Sequence, residues 1–158
     1  MINMASMLDS LPIIPLFNDL APYQVSKLKG SFEYYFGQNN TVIFEQGDPA
    51  SHLYLLLRGR VAVRYKPYDG PPIILTRLRD GDVFGWSAVI GSSRYTSSIV
   101  SETQVEAIRI HKEDLWDLIT HEPATGKIII DRLAQIVSPR WKNAHEQIQP
   151  LLHSIERK

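Results

Sequence analysis

The chain of 158 residues contains no cysteine, which excludes disulfides, zinc ribbons and thiol catalysis together. Nor is there an excess of charge of either sign, since 17 basic side chains meet 17 acidic ones. General polyanion binding draws its affinity from Lys and Arg that neutralise phosphates, so it is not expected outside a local basic patch. Long hydrophobic runs are also missing. The longest near the N-terminus, 11–17, is broken by Pro12 and Pro15 and has no basic region before it, which fits neither a signal peptide nor a membrane span. A cytoplasmic protein is the expectation. The five histidines, His52, His111, His121, His145 and His153, show none of the close His and Glu pairing by which related barrels hold a metal. His121 and Glu122 precede Pro123 at a helix boundary, where capping or exposure explains them. Gly85-Trp86-Ser87-Ala88-Val89 is not a nucleophile elbow, because Val89 stands where the second glycine is required. No catalytic residue, metal ligand or cofactor is therefore nominated, and the expectation is a protein that is not an enzyme.

What is present describes a globular domain with one ordinary core, with 44% hydrophobic and 22% charged residues. Turn signals recur about every ten residues between 37 and 82: Gly37 to Asn40, Gln46-Gly47-Asp48, Arg58-Gly59, Asp69-Gly70-Pro71 and Asp80-Gly81-Asp82. Between and after them, 31–36, 41–45, 52–58, 60–66, 72–78, 96–101 and 103–110 are short and rich in β-branched or aromatic residues, which predicts strands. In the last of these, Val105, Ala107 and Ile110 alternate with Gln104, Glu106 and Arg109, so one face is expected to be buried, with a slip at Ile108. Many short, evenly spaced strands imply a sandwich or a jelly-roll barrel. Strand pattern alone does not choose between them.

Helices follow. The run 111–119 places Leu115, Trp116, Leu118 and Ile119 on an expected buried side. Pro123 suits the start of a second helix through Ile129, Leu133, Ile136 and Val137, and Pro139 ends it. Beyond lies a heptad-like seam of Trp141, Ala144, Ile148, Leu151 and Ile155, kinked at Pro150. It either folds back on its own barrel or pairs two chains. Only some twenty residues follow Val137, too few for a helix-turn-helix domain, so direct DNA binding is not expected, nor is a kinase, an exchange factor or a channel pore. The expected organisation is a single domain: an N-terminal helical segment 1–30, a β-barrel 31–111 and C-terminal helices 112–158.

Four motifs carry a resemblance. They are Ile14-Pro15-Leu16-Phe17 followed by Leu20, then Ile43-Phe44-Glu45-Gln46-Gly47-Asp48, then Leu53-Tyr54-Leu55 with Gly59-Arg60-Val61, then Gly81-Asp82-Val83-Phe84-Gly85. Together they resemble the cyclic nucleotide-binding domain family, of the catabolite activator protein and kinase regulatory subunit type, over roughly 12–120. The resemblance implies a mainly β fold: a jelly-roll barrel of the double-stranded β-helix kind with N-terminal and C-terminal α-helices. Asn40 stands where the family commonly has glycine, and asparagine is the next best residue for a left-handed backbone.

The family's phosphate-binding cassette corresponds to 84–98. There the family reads Phe-Gly-Glu-x-Ala-x and then Arg-Ser/Thr-Ala, with the Glu holding the ribose hydroxyl and the Arg holding the cyclic phosphate. This chain reads Phe84-Gly85-Trp86-Ser87-Ala88-Val89 and then Tyr95-Thr96-Ser97, with Arg94 one place early. The resemblance thus implies a degenerate site built from Phe84, Gly85, Trp86, Ser87, Ala88, Val89, Arg94, Tyr95, Thr96 and Ser97. A short helix near Ser87, with Ser87 as its cap, would aim backbone amides at the pocket. Trp86 either fills the sugar space and closes the site or stacks on a planar ligand. Arg94 is a solvent-exposed loop residue, an ion-pair partner elsewhere or, with a register shift, a phosphate ligand. Thr96, Ser97 and the Tyr95 hydroxyl could hold a less charged ligand.

Three functions are compatible with these residues. The first is a stand-alone, bacterial-type regulatory module that no longer selects cAMP or cGMP and answers to another small-molecule effector or a protein partner. The second is a genuine cyclic nucleotide sensor using Arg94 and helix amides. The third is a ligand-free interaction module, including a homodimer through the C-terminal helices.

Overall fold

The computed structural model describes residues 15–89 and 92–137. Pro139, Pro150 and the seam from Trp141 to Ile155 lie outside the described residues. After a short 3-10 turn at Pro15–Phe17 come α1 (Pro22–Ser31), β1 (Phe32–Gly37), β2 (Val42–Phe44), β3 (His52–Arg58), β4 (Val61–Tyr65), β5 (Ile73–Leu78) and β6 (Val83–Phe84). A single 3-10 turn at Trp86–Ala88 precedes β7 (Ser98–Ser101), β8 (Val105–His111), α2 (Lys112–His121) and α3 (Pro123–Val137). The strands form two antiparallel four-stranded sheets, ordered β1-β8-β3-β6 and β2-β7-β4-β5. This is the jelly-roll arrangement that the resemblance implies.

Side-chain alternation along the first sheet serves two cores at once. Tyr54, Leu56, Phe84 and Val105 point into the barrel, where they meet Phe44, Val61, Val63, Leu78 and Ile99 of the second sheet. Leu53, Leu55, Val83, Ile108 and Ile110 point the other way, against Phe17, Leu28, Leu115, Ile129 and Leu133 of the helical layer. Successive residues of a strand face opposite sides, so the run Leu53-Tyr54-Leu55-Leu56 is buried throughout. The same geometry corrects the single buried face expected for 103–110. In β8, Ile108 belongs to the helical core and Val105 to the barrel core, and Ala107 is fully buried beside them. What reads as a slip is a strand covered on both faces.

Strand limits otherwise match expectation to within two residues, and 52–58 matches at both ends. The strand expected from 96 begins at Ser98, because the backbone of Tyr95 pairs with the loop before β3 instead: Tyr95 N–H donates to Asp48 O and Tyr95 O accepts from Gly47 N–H, each at 2.9 Å. The two-residue β6 is too short to show any period. Asn40 adopts φ 60°, the left-handed backbone expected of it.

The helices are tied to one another by few but specific contacts. Gln24 accepts from Ala21 N–H at 2.9 Å and donates to Thr125 Oγ1 at 2.8 Å, joining α1 to α3 in a buried setting. Arg132 of α3 donates to Leu16 O and Asn18 O. Gly126 allows α2 and α3 to touch, since a Cβ there would lie 2.8 Å from Ile119 Cα. Trp116 departs from expectation. Leu115 and Leu118 form the buried stripe of α2, and their neighbour Trp116 turns outward with 49% of its surface exposed. No helix among the described residues is long and apolar enough to cross a membrane.

Leu55→Ala and Leu56→Ala empty opposite cores from adjacent positions of one strand. Each should lower the unfolding free energy by about 2–5 kcal/mol, read from urea titrations monitored by circular dichroism. Both variants should unfold in one transition, because the two cores share a sheet.

Candidate functional site: a cavity inside the barrel

Phe84 ends β6 inside the barrel, and the chain must turn sharply after it. Gly85 makes that turn at φ 81°, in the left-handed region. A Cβ on it would lie 2.7 Å from His52 O, so both the backbone and the space demand glycine. The turn Trp86–Ala88 follows, with Gly85 as its cap residue and no side-chain cap. Ser87 therefore does not cap a helix as expected. It lies within a three-residue turn, where Ala88 N–H is spent on Gly85 O and Val89 N–H on Trp86 O. A turn this short carries little of the dipole that a full helix would aim at an anion.

The cavity has a volume of about 220 Å³ and is partly enclosed. Of the residues expected to form the site, Phe84, Gly85, Trp86, Ser87, Tyr95, Thr96 and Ser97 line it, whereas Ala88, Val89 and Arg94 do not. Ala88 is packed into the barrel core and Val89 against the helical core. Sequence inspection missed Phe44, Val63, Leu78, Val83, Ser92 and Ile99 in the wall. For Phe44, Val63, Leu78 and Ile99 the signal was the inward alternation of β2, β4, β5 and β7, which marks barrel core without distinguishing core from cavity wall; Val83, whose side chain belongs to the helical core, and the loop residue Ser92 carried no such signal. Trp86 does not close the site. It borders the cavity and at the same time packs against the helical core.

Tyr95, which the resemblance sets at the position of the family's phosphate-binding arginine, is held by both its ring and its hydroxyl. The ring stacks on Phe44 with centroids 3.6 Å apart and planes 10° from parallel. Its hydroxyl donates to His52 O at 2.6 Å and accepts from His52 N–H at 2.9 Å. The hydroxyl is thus not free to hold a ligand, which corrects the contact expected of it. Burial raises the phenol above the ordinary tyrosine value, against the lowering effect of the His52 backbone contact. Arg94 is exposed and donates to Gly47 O at 2.6 Å. Loop 47–52 is thereby stitched to 93–95 through Gly47, Asp48, Ala50 and His52. No charged side chain lines the cavity. No cluster of three or more His, Asp or Glu among the described residues is placed to hold a metal ion.

The residue that anchors Tyr95 sits among charges. His52 Nδ1 meets Ser51 Oγ at 2.8 Å, its ring lies edge-on to His111 at 5.0 Å, and Nε2 is 3.6 Å from Glu33. Arg109 bonds Glu33 at 2.6 Å and lies over the Tyr35 and Tyr54 rings. Burial, then Arg109 and His111, hold His52 below the ordinary histidine value, opposed by Glu33 and Asp114.

A jelly roll of this topology, with a glycine-led turn opening onto a barrel cavity and helices packed behind, is the architecture of the cyclic nucleotide-binding domain. The chain belongs to the cyclic nucleotide-binding domain family, whose sequence profile matches residues 38–122. It is 27% identical over 87% of its length to the cyclic AMP receptor protein of Thermus thermophilus, of which it covers 62%. The chain spans about six-tenths of the length of such curated transcriptional regulators. Among solved structures, it resembles a cyclic nucleotide-binding domain from Methylobacillus flagellatus at 22% identity, with a TM-score of 0.74 over 90% of this chain and 80% of that one. It also resembles the regulatory subunit of a cAMP-independent protein kinase A from Trypanosoma cruzi, bound to guanosine, at 17% identity. The TM-score there is 0.70, over 93% of this chain and 50% of that one.

Two outcomes follow from the Tyr95 contact. Tyr95→Phe keeps the stack on Phe44 but strips His52 N–H and C=O of their partner. The expected loss is about 1–3 kcal/mol, with faster hydrogen exchange at the His52 amide. The second concerns pH. A histidine whose folded pKa lies below its unfolded value of about 6.5 binds its proton more readily in the unfolded chain. Stability should therefore fall as pH drops through 6.5 towards the lower folded value. His52→Gln should flatten that part of the pH profile of the melting temperature.

Proposed function

We propose that the protein is a cytoplasmic regulatory module of the cyclic nucleotide-binding domain family that does not capture cAMP or cGMP with ordinary affinity. The barrel 31–111 would be its sensor, and the flanking segments 1–30 and 112–158 would carry the response. The observation that carries this is the uncharged cavity wall: Tyr95 stands at the arginine position with its hydroxyl held by His52, and Arg94 is turned to Gly47 outside the cavity. Removing one partner of a buried, hydrogen-bonded charge pair costs about 2–5 kcal/mol or more. At about 1.4 kcal/mol per tenfold, a micromolar site falls to tens of micromolar or into the millimolar range. Trp86 at the glutamate position takes away the ribose contact as well. The guanosine-bound trypanosomal subunit supports the same view, because a protein of this fold holds there a nucleoside that carries no phosphate.

The output would run through Trp86. This residue borders the cavity and packs against the core that contains Leu115, Ile129 and Leu133. A ligand shifts those helices only by its differential affinity for two arrangements of them, and Trp86 is the side chain that both the ligand and the helices would touch. The regulator relatives favour such a role over catalysis.

The test is thermal melting with 1 mM cAMP or cGMP. A ligand present at 100 times its Kd adds about 2.7 kcal/mol, a shift of several degrees for a domain of this size. The wild type should not move, whereas Trp86→Glu/Tyr95→Arg should gain a shift. A low-micromolar cAMP constant for the wild type by calorimetry would sink the proposal.

A further inference from the structure

We infer that the barrel cavity is built for an uncharged, flat, bicyclic heteroaromatic molecule rather than for a sugar phosphate. This rests on the cavity being the ligand site of the regulatory module. Size is the first constraint. An apolar protein cavity of about 150 Å³ admits benzene, and this one, at about 220 Å³, is half as large again. That is room for two fused rings. A base, ribose and cyclic phosphate together need more.

Charge is the second constraint. The wall holds no Lys, Arg, His, Asp or Glu, so a carboxylate or phosphate would be buried without a partner, which is heavily penalised. Shape is the third. Phe44, Phe84, Trp86 and Tyr95 put four aromatic rings around one space, and three of them are already fixed in stacks, Phe44 on Tyr95 and Phe84 on Tyr54. Rings so fixed present faces and edges that favour another ring over a flexible chain.

Polarity completes the description. Ser87 and Ser97 stand in the wall, and their hydroxyls, which make no hydrogen bond among the described residues, are open to the cavity rather than sealed from it. A hydroxyl that loses its water to a ligand and gains no partner is costly, and a ring N–H or ring nitrogen supplies that partner. A hydrocarbon of the same size does not.

Ligand-observed NMR and calorimetry on the full chain test this with five probes: indole, N-methylindole, indole-3-carboxylate, 1-octanol and cAMP. Indole should bind. N-methylindole, which cannot donate, should bind several-fold more weakly, and indole-3-carboxylate weaker by about tenfold or more, because its charge finds no partner. Ser97→Val should remove the advantage of indole over N-methylindole, and Val63→Phe should abolish indole binding by filling the cavity. Should Val63→Phe fail to fold, the Ser97→Val comparison still decides. Binding of indole-3-carboxylate as tight as that of indole overturns the inference, as does 1-octanol matching indole. Silence from every probe overturns it too, while leaving the loss of cyclic nucleotide binding intact. Tight binding of cAMP overturns both.

Discussion

The sheet β1-β8-β3-β6 has to be buried on both faces, and most of the structure is arranged around that requirement. One face closes the barrel and the other carries the helices. Neither layer covers the sheet alone, and a strand run such as Leu53-Tyr54-Leu55-Leu56 would expose two large apolar side chains if either were removed. At about 25 cal/mol per Å² of apolar surface, exposing either face would cost more than a domain of this size can spare. The sheet thereby makes barrel and helices parts of one cooperative unit. A change within the barrel has a short physical route to α2 and α3, because Val83 and Phe84 are consecutive residues facing opposite cores.

At the site, aromatic packing is the dominant feature and the cavity wall is uncharged. Where the resemblance sets the family's phosphate-binding arginine, this chain has a tyrosine whose ring stacks on Phe44 and whose hydroxyl closes on the His52 backbone. A guanidinium in the barrel would be expensive until a phosphate arrived to pair with it. A stacked phenol with both hydrogen-bonding capacities used costs nothing while it waits. The cassette is then held in place by the protein's own contacts, through His52 and the loop 47–50, rather than by a ligand. The anchor is itself half-buried beside Arg109, Glu33 and His111, so the local electrostatics of β1, β3 and β8 bear on the position of Tyr95.

Trp86 is part of that packing too. An acidic residue at this point of the cassette would face the sugar of a nucleotide. The indole instead belongs to the cavity wall and to the helical core together. A side chain with two such environments cannot adjust to one without disturbing the other, since interiors are close-packed. The indole is therefore packed in common by the cavity wall and the core behind β6.

Much of this could be read from the chain without coordinates. The evenly spaced turns, the glycines and Asn40, and the two helices behind the barrel are local matters, governed by backbone sterics and short-range pattern, and the sequence by itself determined them; the departures at Trp86 and Tyr95 were legible only against the family the chain resembles. It also located seven of the residues that line the cavity. What only the tertiary structure decided depends on contacts between distant segments. Tyr95 meets His52 across 43 residues, and no pattern near either one announces the pair. Whether Ile108 marks a slip or a second buried face depended on there being a helical layer over β8. Whether Ser87 caps a helix depended on how much helix the space beside β6 allows. Trp116 turned outward because Leu115 and Leu118 filled the only covered stripe of α2. Phe44, Val63 and Ile99 read as core, and they became cavity wall only because the opposite sheet stands far enough away to leave room between them.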